Sequence, residues 1–308
     1  MSAPAFLTLE KVHKTYTLKT MFGPAKHIKA LQDISFSLGK GEALALVGES
    51  GSGKSTCGRA VAGMFQIDSG EIRVQGQPIA TARTSKEKRD TARKVQMVFQ
   101  DPFASLNPTH TVRHHLERPL KLHNRVPAGS TLEEELRRTL ADVELEPDAT
   151  LKKYPHELSG GQRQRINLAR ALAVGAELII ADEPTSMLDV SIRRSILNLM
   201  KRLKEDRGIT FLYITHDLAT AHYLTENTAV MFGGRIVEYG PSDKIVRDPR
   251  HAYSKLLLSS VPSAKTKIDA DFDHAKDFSN FADEVRKATA ASTAPLLDVG
   301  EGRMIRGS

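Results

Sequence analysis

An α/β fold is predicted for this chain of 308 residues, with a mainly parallel sheet, an antiparallel β subdomain and an inserted α-helical subdomain. Three observations predict it. Short, wholly apolar runs such as Ala43–Val47 and Leu178–Ala181 have the composition of strands buried on both faces. Phe6–Leu9 and Ile34–Leu38 alternate apolar and polar residues, as half-buried antiparallel strands do. From residue 110 to 157 the pattern turns helical and rather polar, with Leu132, Leu136, Leu140 and Val143 at helical spacing.

Composition sets the outer bounds. A hydrophobic content of 40% with 26% charged residues describes a soluble globular protein and excludes disordered and fibrous classes. The single cysteine, Cys57, excludes an internal disulfide or a cysteine-only metal cluster within one chain, and suits a reducing compartment. It reads as a small buried packing residue. The first twenty residues are polar and lack the apolar core of a signal peptide, and no apolar run is long enough to cross a bilayer. The chain is thus expected to be neither secreted nor membrane-spanning by itself. The net charge of +7 comes from lysines and arginines dispersed among acids, a solvated surface rather than a nucleic-acid face.

Taken in order, the first two strands are separated by an insertion containing Phe22-Gly23-Pro24, and Tyr16 lies in the segment joining them. Its ring could stack on a base or simply pack; spacing alone leaves both open. After Ala43–Val47 comes Gly48-Glu49-Ser50-Gly51-Ser52-Gly53-Lys54-Ser55, which fits G-x-x-x-x-G-K-[ST] between a strand and a helix-compatible stretch from Thr56 to Met64. Glycines let successive backbone N–H groups turn inward toward phosphate oxygens, and the following helix adds its positive end. Lys54 is placed to reach the β- and γ-phosphates, and Ser55 to ligate Mg²⁺.

Glu71–Val74 continues the β pattern, and residues 83–94 form a dense charge run of a solvated helix or loop. Val95–Phe99 is a further buried strand that delivers Gln100, an uncharged amide able to ligate Mg²⁺ or position water, before Asp101-Pro102 opens a loop. Beyond the helical insertion, Ser159-Gly160-Gly161-Gln162 opens a helix and makes a second anion site by dipole and backbone logic. A simple kinase has no use for two such elements in one chain. The pair points to a nucleotide held between two subunits.

Leu178–Ala181 ends in Asp182-Glu183, two carboxylates that can divide labour: Asp182 on Mg²⁺, Glu183 on the attacking water. Asp189 lies in the loop before the helix of residues 191–204. Phe211–Ile214 ends in Thr215-His216-Asp217, which brings a histidine to the same sheet edge. Val230–Tyr239 reads as a hairpin turning at Gly233-Gly234. After Pro262 the character changes to an acid-containing stretch with a Phe278/Phe281/Val285 stripe, so a boundary is expected near residue 262, with residues 263–308 as an extension.

These elements in this order resemble the ATP-binding subunits of ABC transporters over residues 6–262, a P-loop NTPase core. The stretches Gln100–Pro108 and His251–Pro262 are similar to the oligopeptide/dipeptide importer branch, whose relatives also carry nickel, opines or oligosaccharides. The resemblance implies nucleotide contacts from Tyr16, from Gly48, Glu49, Ser50, Gly51, Ser52, Gly53, Lys54, Ser55 and Thr56, and from Ser159, Gly160, Gly161, Gln162 and Asp189. It implies catalytic roles for Glu183, His216 and Gln100, and Mg²⁺ ligation by Ser55, Gln100 and Asp182. The helical subdomain is expected over about residues 105–170. ATP and Mg²⁺ are the implied cofactors. The implied partners are a second cassette, identical or homologous, two membrane permeases and a solute-binding protein, with no nucleic acid, at the cytoplasmic face of a bacterial membrane. Many members carry a cysteine-rich segment after this region, sometimes with an iron–sulfur cluster; residues 263–308 hold no cysteine, and none is expected. Met187 stands where a smaller residue is common and reads as tolerated. The alternatives are a soluble ABC ATPase of DNA repair or translation, and an exporter subunit.

Overall fold

A computed structural model describes residues 5–19, 24–79, 85–102, 105–259 and 272–307. Strands β1 (Leu7–Leu18) and β2 (Lys26–Leu38) form an antiparallel pair in which Leu7 faces Leu38 and Leu9 faces Phe36. Their alternation has the expected cause: Ile34, Phe36 and Leu38 are buried while Ser35 and Ser37 are exposed. The chain then leaves for a second sheet through β3 (Ala43–Val47) and enters α1 (Lys54–Val61). It returns through β4 (Ser69–Val74) and β5 (Gln77–Pro78), giving a four-stranded layer in the order β2-β1-β4-β5.

Helix α2 (Ser85–Lys94) covers the charge run, and β6 (Val95–Val98) follows. The helical insertion comprises α3 (Val112–Leu122), α4 (Leu132–Asp142) and α5 (Pro147–Leu151). Helix α4 starts at a reciprocal cap between Thr131 and Glu134 and buries Leu136 and Leu140, with Val143 buried at its end. Then come α6 (Gly160–Val174), β7 (Leu178–Asp182), α7 (Val190–Arg207), β8 (Thr210–Thr215) and α8 (Leu218–Leu224). Strands β9 (Asn227–Phe232) and β10 (Arg235–Pro241) turn at Gly233-Gly234, both at positive φ, as a tight hairpin requires. Helices α9 (Ser242–Arg247), α10 (Ala252–Ser259) and α11 (Phe272–Ala291) precede a hairpin of β11 (Leu296–Asp298) and β12 (Met304–Arg306).

The main sheet runs β11-β12-β10-β9-β3-β8-β7-β6. Strands β6, β7, β8, β3 and β9 are parallel neighbours, while β10, β12 and β11 add antiparallel strands. The sheet divides the apolar interior by residue parity. Leu44, Leu46, Ile180 and Ile214 face α1 and the four-stranded layer, whereas Ala43, Ala45, Ile179 and Phe211 face the helices. Cys57 is fully buried in the first of these cores, and burial pushes its thiol up to about 12.

The stretch after residue 271 joins this body directly. Strand β12 pairs with β10, and the buried Arg303 on its approach forms an ion pair with the buried Glu238 at 2.6 Å. The expected apolar stripe holds at Val285, which is buried, and fails at Phe281, which is 53% exposed; α11 also buries Ala282 and Thr289. Phe278 lies outside the described side chains, as do Phe22, Gly23 and Phe103 outside the described residues.

Candidate functional site

Parallel register brings the strand ends level. Val47 pairs with Thr215, Asp182 with Ile214 and Val98 with Ala181, so the residues just beyond β3, β6, β7 and β8 share one edge. There they line a cavity of about 1090 Å³ that includes Tyr16, Gly51, Lys54, Ser55, Gln100, Glu183 and His216. Glu49, Ser50, Gly53 and Thr56 line it as well.

Crowding requires two of the phosphate-loop glycines, Gly48 and Gly53. A Cβ at Gly48 would lie 2.2 Å from the carbonyl oxygen of Met231. One at Gly53, whose φ is +104°, would lie 2.5 Å from that of Ala30. Inside the loop the Lys54 ammonium donates to the carbonyls of Gly48 at 2.6 Å and Glu49 at 2.8 Å. Burial holds the Lys54 amine below its ordinary range, and the nearby Glu183, Asp182 and Glu49 carboxylates oppose that shift. Ser52 lies within the loop and Gly234 N–H donates to its carbonyl at 2.9 Å.

Ser55 Oγ donates to Asp182 Oδ1 at 2.9 Å. Desolvation raises the Asp182 carboxyl above the usual carboxylate range, against the hydrogen bond from Ser55. A hydroxyl and a poorly hydrated carboxylate are hard oxygen donors, the type Mg²⁺ takes, so the residues present fit that ion. Glu183 follows at φ +46°, a left-handed conformation uncommon for a side chain of this size, with its N–H donating to Ile214 O at 2.9 Å. That conformation turns its carboxylate to meet two neighbours: Gln100 Nε2 donates to Oε2 at 3.1 Å, and His216 Nδ1 lies 3.5 Å from the same oxygen. Asp217 caps α8 by accepting from the N–H groups of Ala219 and Thr220.

Tyr16, on β1, lines the cavity and is 39% exposed. Its ring meets Phe65 edge-to-face at 6.0 Å and has the Lys14 ammonium 5.7 Å from its centroid. The ring packs, as one of the two readings had it, and it also borders the cavity.

The Ser159–Gln162 element does not line this cavity, and neither does Asp189. Ser159 caps α6, its Oγ accepting from Gln162 N–H at 3.2 Å while its own N–H donates to Gln162 Oε1 at 3.0 Å. A Cβ at Gly161 would lie 2.5 Å from Ile192 Cγ2, and one at Gly160 would lie 3.2 Å from Leu188 Cδ2. The glycines therefore let the helix start seat against the loop of Asp189. Asp189 accepts from Ile192 N–H at 3.0 Å and Ser191 Oγ at 2.7 Å, and these bonds hold its carboxyl below the usual range.

Sequence reasoning passed over Lys29, Ala30 and Leu257, which also line the cavity. No local signal marks them: Lys29 and Ala30 lie inside β2 and Leu257 inside α10, none of them in the phosphate loop or just beyond a strand.

A parallel sheet that sends a lysine-bearing phosphate loop and a strand-end carboxylate pair to one edge defines the ATPase class built on this loop. Residues 31–186 match the ABC transporter family, and residues 237–280 match the oligopeptide/dipeptide transporter C-terminal region. The oligopeptide transport ATP-binding protein OppF of Bacillus subtilis (strain 168) is 39% identical over 297 residues, covering 96% of each chain. The protein of that name from Streptococcus mutans serotype c is 43% identical over 261 residues, 85% of this chain and 84% of the other. Among solved structures, the dimeric post-hydrolysis state of the ATP-binding cassette MJ0796 bound to ADP and Pi aligns with a TM-score of 0.65 and 28% identity. That alignment covers 77% of this chain and 98% of that one. CbiO1 from Clostridium perfringens, part of an ABC transporter complex, aligns with a TM-score of 0.68 and 25% identity, covering 79% and 91%. The chain belongs to the ABC transporter family, as one of its ATP-hydrolysing subunits. These matches do not favour a soluble repair or translation ATPase, or an exporter. Among the described residues no helix is long and apolar enough to cross a membrane.

Proposed function

We propose that this chain energises an importer of oligopeptides, working as one of two cassettes that close head-to-tail on two MgATP molecules. One observation carries the catalytic part: Gln100 and His216 converge on a single oxygen of Glu183, next to the Ser55–Asp182 pair. In this reading Lys54 exchanges the Gly48 and Glu49 carbonyls for β- and γ-phosphate oxygens, which are stronger acceptors. Ser55, Asp182 and Gln100 would hold Mg²⁺. Bound there, the ion offsets charge on the phosphate oxygens. Glu183 accepts a proton from the attacking water, and His216 orients that water or the carboxylate. Tyr16 stacks on the base.

The lid of each site comes from the opposite cassette, identical or homologous, through Ser159, Gly160 and Gly161 of the partner subunit. Its helix start points N–H groups at the γ-phosphate. Closure would move two transmembrane permeases through the region around Gln100–Pro108 and the helical insertion, at the cytoplasmic face of the membrane, with a solute-binding protein supplying the cargo. The peptide cargo is supported by the relatives' names and by the match over residues 237–280.

The test is steady-state hydrolysis by the cassette assembled with its permeases in lipid vesicles. Hydrolysis should require Mg²⁺ and rise when peptide-loaded binding protein is added. No hydrolysis of MgATP would overturn the catalytic reading, and hydrolysis indifferent to peptide would overturn the cargo.

A further inference from the structure

Every polar group of Glu49 is held by a different element. Its N–H donates to Tyr253 Oη at 3.0 Å, and its carbonyl accepts from Lys54 Nζ at 2.8 Å. Its carboxylate accepts from Arg286: Nε lies 3.2 Å from both oxygens, and Nη2 lies 2.7 Å from Oε1. The third guanidinium nitrogen, Nη1, donates to Asp283 Oδ1 at 3.2 Å. Arg286 stands 237 positions from Glu49, on α11.

Both clamping residues have their own supports. The Tyr253 ring is fully buried, meets Phe232 edge-to-face at 4.7 Å, and follows a backbone N–H that donates to His251 Nδ1 at 3.0 Å. The N–H groups of Arg250 and His251 reach the buried Glu238, which Arg303 neutralises. Helix α11 buries Ala282, Val285 and Thr289 around the turn that carries Arg286. An isolated exposed ion pair would fix little beyond itself. This one is forked, and its carboxylate belongs to a residue of the phosphate loop whose backbone N–H is held at the same time by the buried Tyr253.

We propose that Arg286 is a positioning residue for nucleotide binding: through Glu49 it fixes the first turn of the phosphate loop, so the segment after residue 271 sets how firmly the cassette takes ATP. The inference rests on the nucleotide reading of that loop. It gives α11 a task at the site although Arg286 lies outside the lining of the cavity.

The experiment compares the full chain with Arg286→Gln, Arg286→Lys, Glu49→Gln and the Arg286→Gln/Glu49→Gln pair, measuring MgATP affinity, hydrolysis and nucleotide-free melting. Arg286→Gln should weaken ATP binding and raise KM roughly three- to fivefold, with kcat changed by less than about twofold and the nucleotide-free Tm unmoved. The double variant should be no weaker than Glu49→Gln alone, because both remove one contact. Arg286→Lys should recover part of the affinity. Unchanged affinity in Arg286→Gln, additive losses in the pair, or a loss of Tm that accounts for the effect would each overturn the proposal. Failure of the unaltered chain to bind MgATP would overturn the loop reading itself, a result distinct from these.

Discussion

The cavity edge and the Ser159 corner, the two elements proposed to meet phosphate, are finished to different degrees. At the edge, Lys54, Asp182 and Glu183 are crowded into a partly dehydrated space where charged groups face one another. At the corner, Ser159 and Gln162 satisfy each other, the glycines are packed against Leu188 and Ile192, and the cavity lies elsewhere. In the proposed reading, phosphate and cation would relieve the electrostatic tension at the edge from the same side. The corner carries no such tension and presents a preformed helix start outward, as expected of a part used by another molecule. Under the proposed head-to-tail closure, the difference teaches that a motif can be complete in a chain while the site it serves is only half there.

The largest effect expected from breaking this division is at Glu183. Glu183→Gln should keep MgATP binding and lower turnover by about 10³-fold, since the amide keeps the hydrogen bonds and loses the base. Steady-state hydrolysis near the unaltered rate in a folded variant would remove Glu183 from the chemistry. Next in size, Ser159→Arg should leave ATP binding to its own chain intact and cost hydrolysis at the opposite site by about 10²-fold. Mixing Ser159→Arg chains with Lys54→Ala chains should restore one working site per mixed dimer. Mixtures no more active than their parents would break the comparison.

The smallest effect separates the two regions by acid. Burial holds His251 below its ordinary value of 6.5, with Glu238 opposing, so the folded chain binds a proton less readily than the unfolded chain. Its contribution is therefore present above about pH 6.5 and is lost as pH falls below that value. Protonated Nδ1 can no longer accept from Tyr253 N–H. Amide protection factors, measured against the intrinsic rate at each pH from 7.5 to 5.5, should fall at residues 250–256 before residues 159–165, and His251→Gln should flatten the trend. An equal fall in both segments would count against it.

Much of the edge was legible because strands announce their ends. Apolar runs stop at Gln100, at Asp182-Glu183 and at His216, and parallel pairing then aligns those residues without further information. The phosphate loop was legible for a related reason, being one contiguous segment between a strand and a helix, with its glycines and lysine at fixed spacing. What escaped is what depends on distant packing. Nothing around Arg286 marks it as a partner of Glu49, and nothing around Arg303 marks it for burial against Glu238. On α11 the stripe is met at Val285 and missed at Phe281: helical spacing gives a period and no phase, and the buried side also takes in Ala282 and Thr289.

Strand β12 has one more consequence, which concerns solubility. Without its pairing at Glu238 and Tyr239, the seven-residue strand β10 would end the sheet with unpaired backbone groups, a template for another chain's strand. With it, the sheet closes on β11, three residues long and carrying Asp298. A margin so short offers a stranger little to pair with, so the same tail that reaches the phosphate loop also keeps the sheet from growing.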